Sequence, residues 1–178
     1  RWLYDFAFQP DDTLDGLEWG EQFHGGTQLR YQMNGLTWAM SLYAANHLPN
    51  APAQITRALE SMVRRHTDLR VWKYWHTLNL VGNFDPDPDP IKRDNIMFSA
   101  FLGDVINSVE AATGTDTFDQ PGSLEFVWTD GRTFSYDHHT RGLADRLAEL
   151  QHNRYVNVLC STHVHVDHHH CLEVILLR

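Results

Sequence analysis

With 178 residues, 42% of them hydrophobic and 12% aromatic, the chain can bury a substantial core and would ordinarily form one domain. A formal charge of −9, with only the short basic doublets Arg64-Arg65 and Lys92-Arg93, argues against a nucleic-acid partner held through its phosphates. Two cysteines, Cys160 and Cys171, are too few for a disulfide framework, and no apolar run reaches the ~18 residues of a membrane span.

No targeting segment is visible, which fits a soluble chain and leaves its compartment unknown. The opening on Arg1 rather than Met reads as a piece of a longer protein. Gly25-Gly26-Thr27 precedes a run over 28–45 in which Leu29, Met33, Leu36, Met40 and Leu42-Tyr43 recur at helical spacing. Leu48-Pro49-Asn50 ends it, and Pro52 suits the first turn of a second helix over 53–66 with the stripe Ile55, Ala58-Leu59 and Met62-Val63. So short a connection predicts a helical hairpin.

Residues 71–80 are rich in aromatics and read either as a short helix or as a buried turn. The stretch 83–88 must be irregular, because alternating prolines lack donors and push their neighbours to extended geometry. Asp89 then caps, Pro90 opens the next helix, and Ile96-Met97, Ala100-Phe101, Val105-Ile106 and Val109 carry its stripe to Gly114. Runs at 124–128 and 133–136 flank Asp130-Gly131, the signature of a β-hairpin. His138-His139, after Tyr136-Asp137, could form a relay, but such a pair more commonly caps the next helix, here expected over 140–150. The expected class is mainly α, built of helical hairpins with one β-hairpin inserted.

Residues 69–118 hold the densest motif. Arg70-Val71-Trp72 and Trp75, then Asp89-Pro90-Ile91, Asn95-Ile96-Met97 and the helix-ending Thr113-Gly114, follow in an order that resembles the linalool dehydratase/isomerase family. The resemblance extends more weakly over roughly 19–160. It implies an (α/α) toroid or barrel, of which a chain this long holds about half. The expected division is a barrel fragment at 1–160 and an atypical His-rich tail at 161–178. Implied too is cofactor-independent acid–base dehydration or isomerisation of a terpene-type alcohol, allylic or tertiary, by a hydro-lyase or isomerase. The partner would be a small hydrophobic alcohol, and an incomplete barrel would be marginal as a monomer and self-associate through uncovered apolar faces.

The family's site residues carry over one at a time. Asp5, in Tyr4-Asp5-Phe6, matches a carboxylate near the substrate hydroxyl. Cys160, approached through Asn153, Tyr155 and Val158-Leu159, matches the first of two active-site cysteines, whereas Cys171 falls beyond the spacing of the second. Met97, Phe101, Trp72 and Trp75 would shape the apolar pocket. Phe101 is a departure, because it stands where the family carries a histidine, and phenylalanine cannot shuttle a proton.

Two other readings stand beside this one. His163-Val164-His165-Val166-Asp167-His168 resembles the ligand motif of the metallo-β-lactamase superfamily, which implies a zinc hydrolase with metal on His163, His165, Asp167 and His168. That motif belongs after a strand, whereas the upstream sequence is helical. Adventitious divalent binding by these imidazoles and a thiol is the plainer account. The third reading is a non-catalytic helical scaffold. Asp85, Asp87 and Asp89 make no calcium loop, since Pro90 and Ile96 stand where Gly and Glu are required.

Overall fold

The computed structural model describes residues 1–17, 29–48, 52–84, 86–91 and 96–138. Within them lie helices α1 (Trp2–Ala7), α2 (Leu29–His47), α3 (Pro52–Arg65), α4 (Leu69–Trp72), α5 (Tyr74–Asn83) and α6 (Ile96–Thr113). A 3-10 turn at Thr117–Asp119 and strands β1 (Leu124–Val127) and β2 (Thr133–Tyr136) follow. The fold is mainly α with one antiparallel hairpin, as the sequence pattern indicates. The expected helix over 140–150, Cys160 and the His-rich tail lie outside the described residues.

The α3 stripe behaves as its spacing dictates: Ile55, Ala58, Leu59, Met62 and Val63 are all buried. Helix α6 packs against both α2 and α3. It buries Phe98 and Leu102 in addition to Ala100, Phe101, Val105, Ile106 and Val109. An apolar surface this wide belongs to a helix with neighbours on several sides, so α6 forms the centre of the core.

The start of this helix differs from the sequence expectation. The Asp89 carboxylate does accept the Ile91 amide at 2.9 Å, as a cap should. Pro90 and Ile91 nonetheless form a turn, and the described helix begins at Ile96. Two tertiary contacts claim the segment: Ile91 is fully buried, and the Tyr136 hydroxyl donates to the second Asp89 oxygen at 2.6 Å. The helix end is as expected, with Gly114 at φ +69° and its amide on the Glu110 carbonyl at 2.7 Å.

The aromatic run resolves into two helices. Asp68 caps α4 by accepting the Arg70 amide at 2.8 Å, and α5 ends at Phe84, which adopts a left-handed φ of 55°. The hairpin pairs Leu124 with Tyr136 and Phe126 with Phe134, and turns through Gly131 at φ +85°. Leu124 and Phe126 point inward, and Phe126 meets Trp72 and Phe98 edge-on at 5.8 and 6.0 Å.

Arg65 clasps the end of helix α1, which also buries Phe6 and Ala7 in the core. Arg65 is completely buried, lies over the Phe6 ring, and donates to the carbonyls of Phe6, Ala7 and Gln9 at 2.8, 3.4 and 2.5 Å. Those carbonyls belong to the end of α1 and the turn after it, where acceptors lack helical partners. Burial pushes the Arg65 pKa down.

Candidate functional site

Helix α2 carries an unusual buried polar stripe. Arg30, Asn34, Thr37 and Ser41 recur at steps of four, three and four, and all are buried. That spacing places them on one helix face, opposite in character to Leu29, Met33 and Met40. Buried polar groups must find partners, and three of the four do. Thr37 donates its hydroxyl to the Met33 carbonyl at 2.8 Å. The Asn34 side-chain amide lies 2.8 Å from Nε2 of His66. Arg30 donates to the Tyr31 hydroxyl at 2.8 Å and to the Tyr74 hydroxyl, with its guanidinium over both rings. Burial works against the Arg30 charge, but Tyr74 and Tyr31 outweigh it and its pKa is raised.

Ser41 is the exception: its buried hydroxyl has no hydrogen-bond partner among the described residues. It lines a cleft of about 470 Å³ between α2 and α6, bounded by Trp38, Leu42, Ala45, Asp104 and Ser108. Small residues, Ala45 on α2 and Ala111 and Ala112 on α6, keep the two helices from filling this space. The result is an apolar cleft with one unsatisfied hydroxyl and one carboxylate, a volume within the usual range for a small-molecule site.

His66, beyond the Asn34 end of the stripe, is fully buried, and desolvation lowers its pKa to about 4. Its Nδ1 meets the Met62 carbonyl at 2.9 Å. A neutral ring offers one donor and one acceptor, so with Nδ1–H on Met62 the Asn34 amide must turn its nitrogen toward Nε2.

The residues expected from sequence are dispersed among these elements. Phe101 is buried behind the cleft wall, against Trp38 at 5.8 Å and edge-on to Tyr31 at 5.5 Å. Met97 lies in the first turn of α6, where only its backbone is described. Trp72 sits in the core beneath the hairpin, its indole N–H on the Thr67 carbonyl at 3.0 Å. Trp75 is half-buried against Tyr74. Asp5 is on the outer side of α1 with a largely exposed side chain, 3.6 Å from Arg1. Cys160, His163, His165, Asp167 and His168 lie outside the described residues.

Sequence reasoning missed Ser41, Asp104 and Arg30. The polar stripe of α2 was a legible signal, since four polar side chains at helical spacing on a buried helix require partners. Also missed was a cluster of Glu110, Asp119 and His138, whose Oε1, Oδ1 and Nδ1 atoms lie within 4.8 Å of one another. Only His138 stood out in the sequence, and as a cap.

Among the described residues, no helix is long and apolar enough to cross a membrane. No solved structure matches the chain. Short segments are similar to proteins named as nickel-responsive regulators. The one from Chlorobium phaeobacteroides is 46% identical over 57 residues, covering 29% of this chain and 42% of the relative. Those from Nitratidesulfovibrio vulgaris and Solidesulfovibrio magneticus are 52% and 54% identical over 46 residues, each match covering 26% of this chain and 33% of the relative. The chain thus spans less than half the length of these curated relatives. The match to the linalool dehydratase/isomerase family is much longer, running from residue 30 to residue 164 and including α2, α6 and the cleft between them, and the chain belongs to that family.

Proposed function

We propose that the chain performs, or contributes to, cofactor-independent dehydration or isomerisation of a terpene-type alcohol, bound in the cleft between α2 and α6. The carrying observation is the buried Ser41 hydroxyl, without a hydrogen-bond partner among the described residues, in a largely apolar cleft. A hydrophobic alcohol is its complement: the hydrocarbon covers Trp38, Leu42 and Ala45, and the substrate hydroxyl satisfies Ser41. Elimination then needs a proton delivered to the departing oxygen and another removed from the neighbouring carbon. Among the described residues lining the cleft, Asp104 is the ionisable one, while Asp5 and Cys160 rest on family resemblance. Met97, Phe101, Trp72 and Trp75 shape or support the apolar surroundings. The barrel reading, with residues 1–160 as its N-terminal part, belongs to this proposal.

Incubation of the purified chain with linalool, followed by gas chromatography, tests the reading. The expected products are a dehydrated hydrocarbon and an isomeric alcohol. Ser41→Ala should raise KM about tenfold, the worth of one hydrogen bond, and Asp104→Asn should lower kcat. Absence of turnover together with absence of saturable quenching of tryptophan fluorescence by linalool overturns it.

A second reading concerns the tail alone. The segment relatives are named for nickel, and His163, His165, His168 and Cys171 supply the imidazole and thiolate donors that Ni²⁺ accepts. We infer that residues after Cys160 bind nickel. Equilibrium dialysis of the chain against Ni²⁺, repeated with His163→Ala, tests this, and equal retention by both proteins refutes it.

A further inference from the structure

The cluster missing from every reading of the sequence is built from three separate segments. Glu110 comes from the last turn of α6, Asp119 from the end of the 3-10 turn, and His138 from the residues just after β2. His138 is buried, with only 2% of its side chain exposed, and its Nδ1 faces Glu110 Oε1 at 3.2 Å and Asp119 Oδ1 at 3.9 Å.

The three supports are tied together. The His138 amide donates to the Phe118 carbonyl at 2.8 Å, and Ser123 donates its hydroxyl to the same carbonyl at 2.8 Å. The loop bearing Asp119 is fixed to α3 through Thr115 and Thr117, whose hydroxyls reach Glu60 Oε1 at 2.8 and 2.6 Å. Phe118 is fully buried. The donors therefore sit on a braced framework rather than on free surface side chains.

We propose that Glu110, Asp119 and His138 bind a divalent transition-metal cation of the zinc or manganese type. One imidazole nitrogen and two carboxylate oxygens suit such ions, whereas calcium needs six or more oxygens. A tetrahedral zinc ion with bonds of about 2.0–2.2 Å holds its ligand atoms roughly 3.3–3.5 Å apart. The pair at 3.2 Å already meets this, and rotation of the carboxylate side chains would bring in the pair at 3.9 Å and the Glu110–Asp119 pair, which lies within 4.8 Å. Three protein ligands leave room for a fourth, a water or a small anionic ligand.

The test uses the full chain stripped with a chelator and titrated with Co²⁺ and Zn²⁺, reading both absorption and the unfolding transition. The expected Co²⁺ spectrum contains ligand-field bands from an N/O site that persist in the double variant Cys160→Ser/Cys171→Ser, where any thiolate charge-transfer band is lost. Binding to the folded framework should stabilise it: metal at about one hundred times Kd raises the folded-to-unfolded ratio about a hundredfold. Glu110→Gln keeps size and hydrogen bonding while removing a ligand, and should abolish both the persistent bands and the stabilisation. Asp119→Asn provides a second variant if the first fails to fold. The proposal is overturned if the wild-type spectrum vanishes with changes in the His-rich tail alone, or if Zn²⁺ leaves the melting transition unmoved. It is equally overturned if folded Glu110→Gln or Asp119→Asn binds as tightly as the wild type.

Discussion

Lowering the pH through the range where free histidine titrates should destabilise this protein through His66. The native ring is buried and protonates only near pH 4, whereas the unfolded chain takes up the proton near the ordinary value of 6.5. Below about pH 6.5 the unfolded state therefore binds a proton that the folded state refuses. The stabilising contribution is complete above that pH, declines by about 1.4 kcal/mol per pH unit as pH falls, and levels off near pH 4 after a loss of about 3 kcal/mol. The structural cause is desolvation, opposed only partly by the carbonyls of Met62 and Val63. Urea unfolding of wild type and His66→Gln from about pH 7.5 to about pH 4.5 isolates this contribution, because the other histidines are common to both. The wild type should lose between roughly 2 and 3 kcal/mol more than the variant over that interval. Asn34→Asp, which puts a carboxylate beside Nε2, should raise the His66 pKa and flatten or reverse the slope. Parallel pH profiles for wild type and His66→Gln would refute the neutral, buried imidazole.

Arg65→Met removes the donors to the Phe6, Ala7 and Gln9 carbonyls. It should cost about 3 kcal/mol and expose the connection after α1 to protease in limited-proteolysis assays. Phe126→Ala, which empties the space between Trp72 and Phe98, should destabilise by about 3–5 kcal/mol and shift Trp72 fluorescence. Phe84→Gly should stabilise by about 1 kcal/mol in urea melts, since the left-handed backbone strains a side chain that is 86% exposed and packs on little. On the proposed reading, Phe101→His, which puts an imidazole where the family resemblance implies one, should raise linalool turnover about a hundredfold, and unchanged turnover would remove this position from the proposed proton path.

Residue order along the chain was enough to set the local elements. The α3 stripe, Leu29, Met33 and Met40 of α2, the glycine that ends α6 and the Asp130-Gly131 turn are legible, because backbone geometry and burial of one face follow from residues a few positions apart, whereas Leu42 and Tyr43, read into the α2 stripe, are exposed. The family, too, was legible in the Arg70-to-Gly114 motifs. What the chain order could not show is which distant polar groups meet. Asp89 looked like a helix cap, yet Tyr136, from the hairpin, claims one of its oxygens and Ile91 enters the core, so the described helix begins later. Arg65 read only as half of a short basic doublet, but packing of α1 on α3 buries it and makes it a clasp for α1. Ser41 and Asp104 lie far apart in sequence and share a cleft only because α2 and α6 cross with small residues between them. Glu110, Asp119 and His138 likewise converge only when α6, the 3-10 turn and the end of β2 are brought together. Desolvation and convergence of this kind depend on tertiary packing, which sets the distance between groups and excludes water from around them.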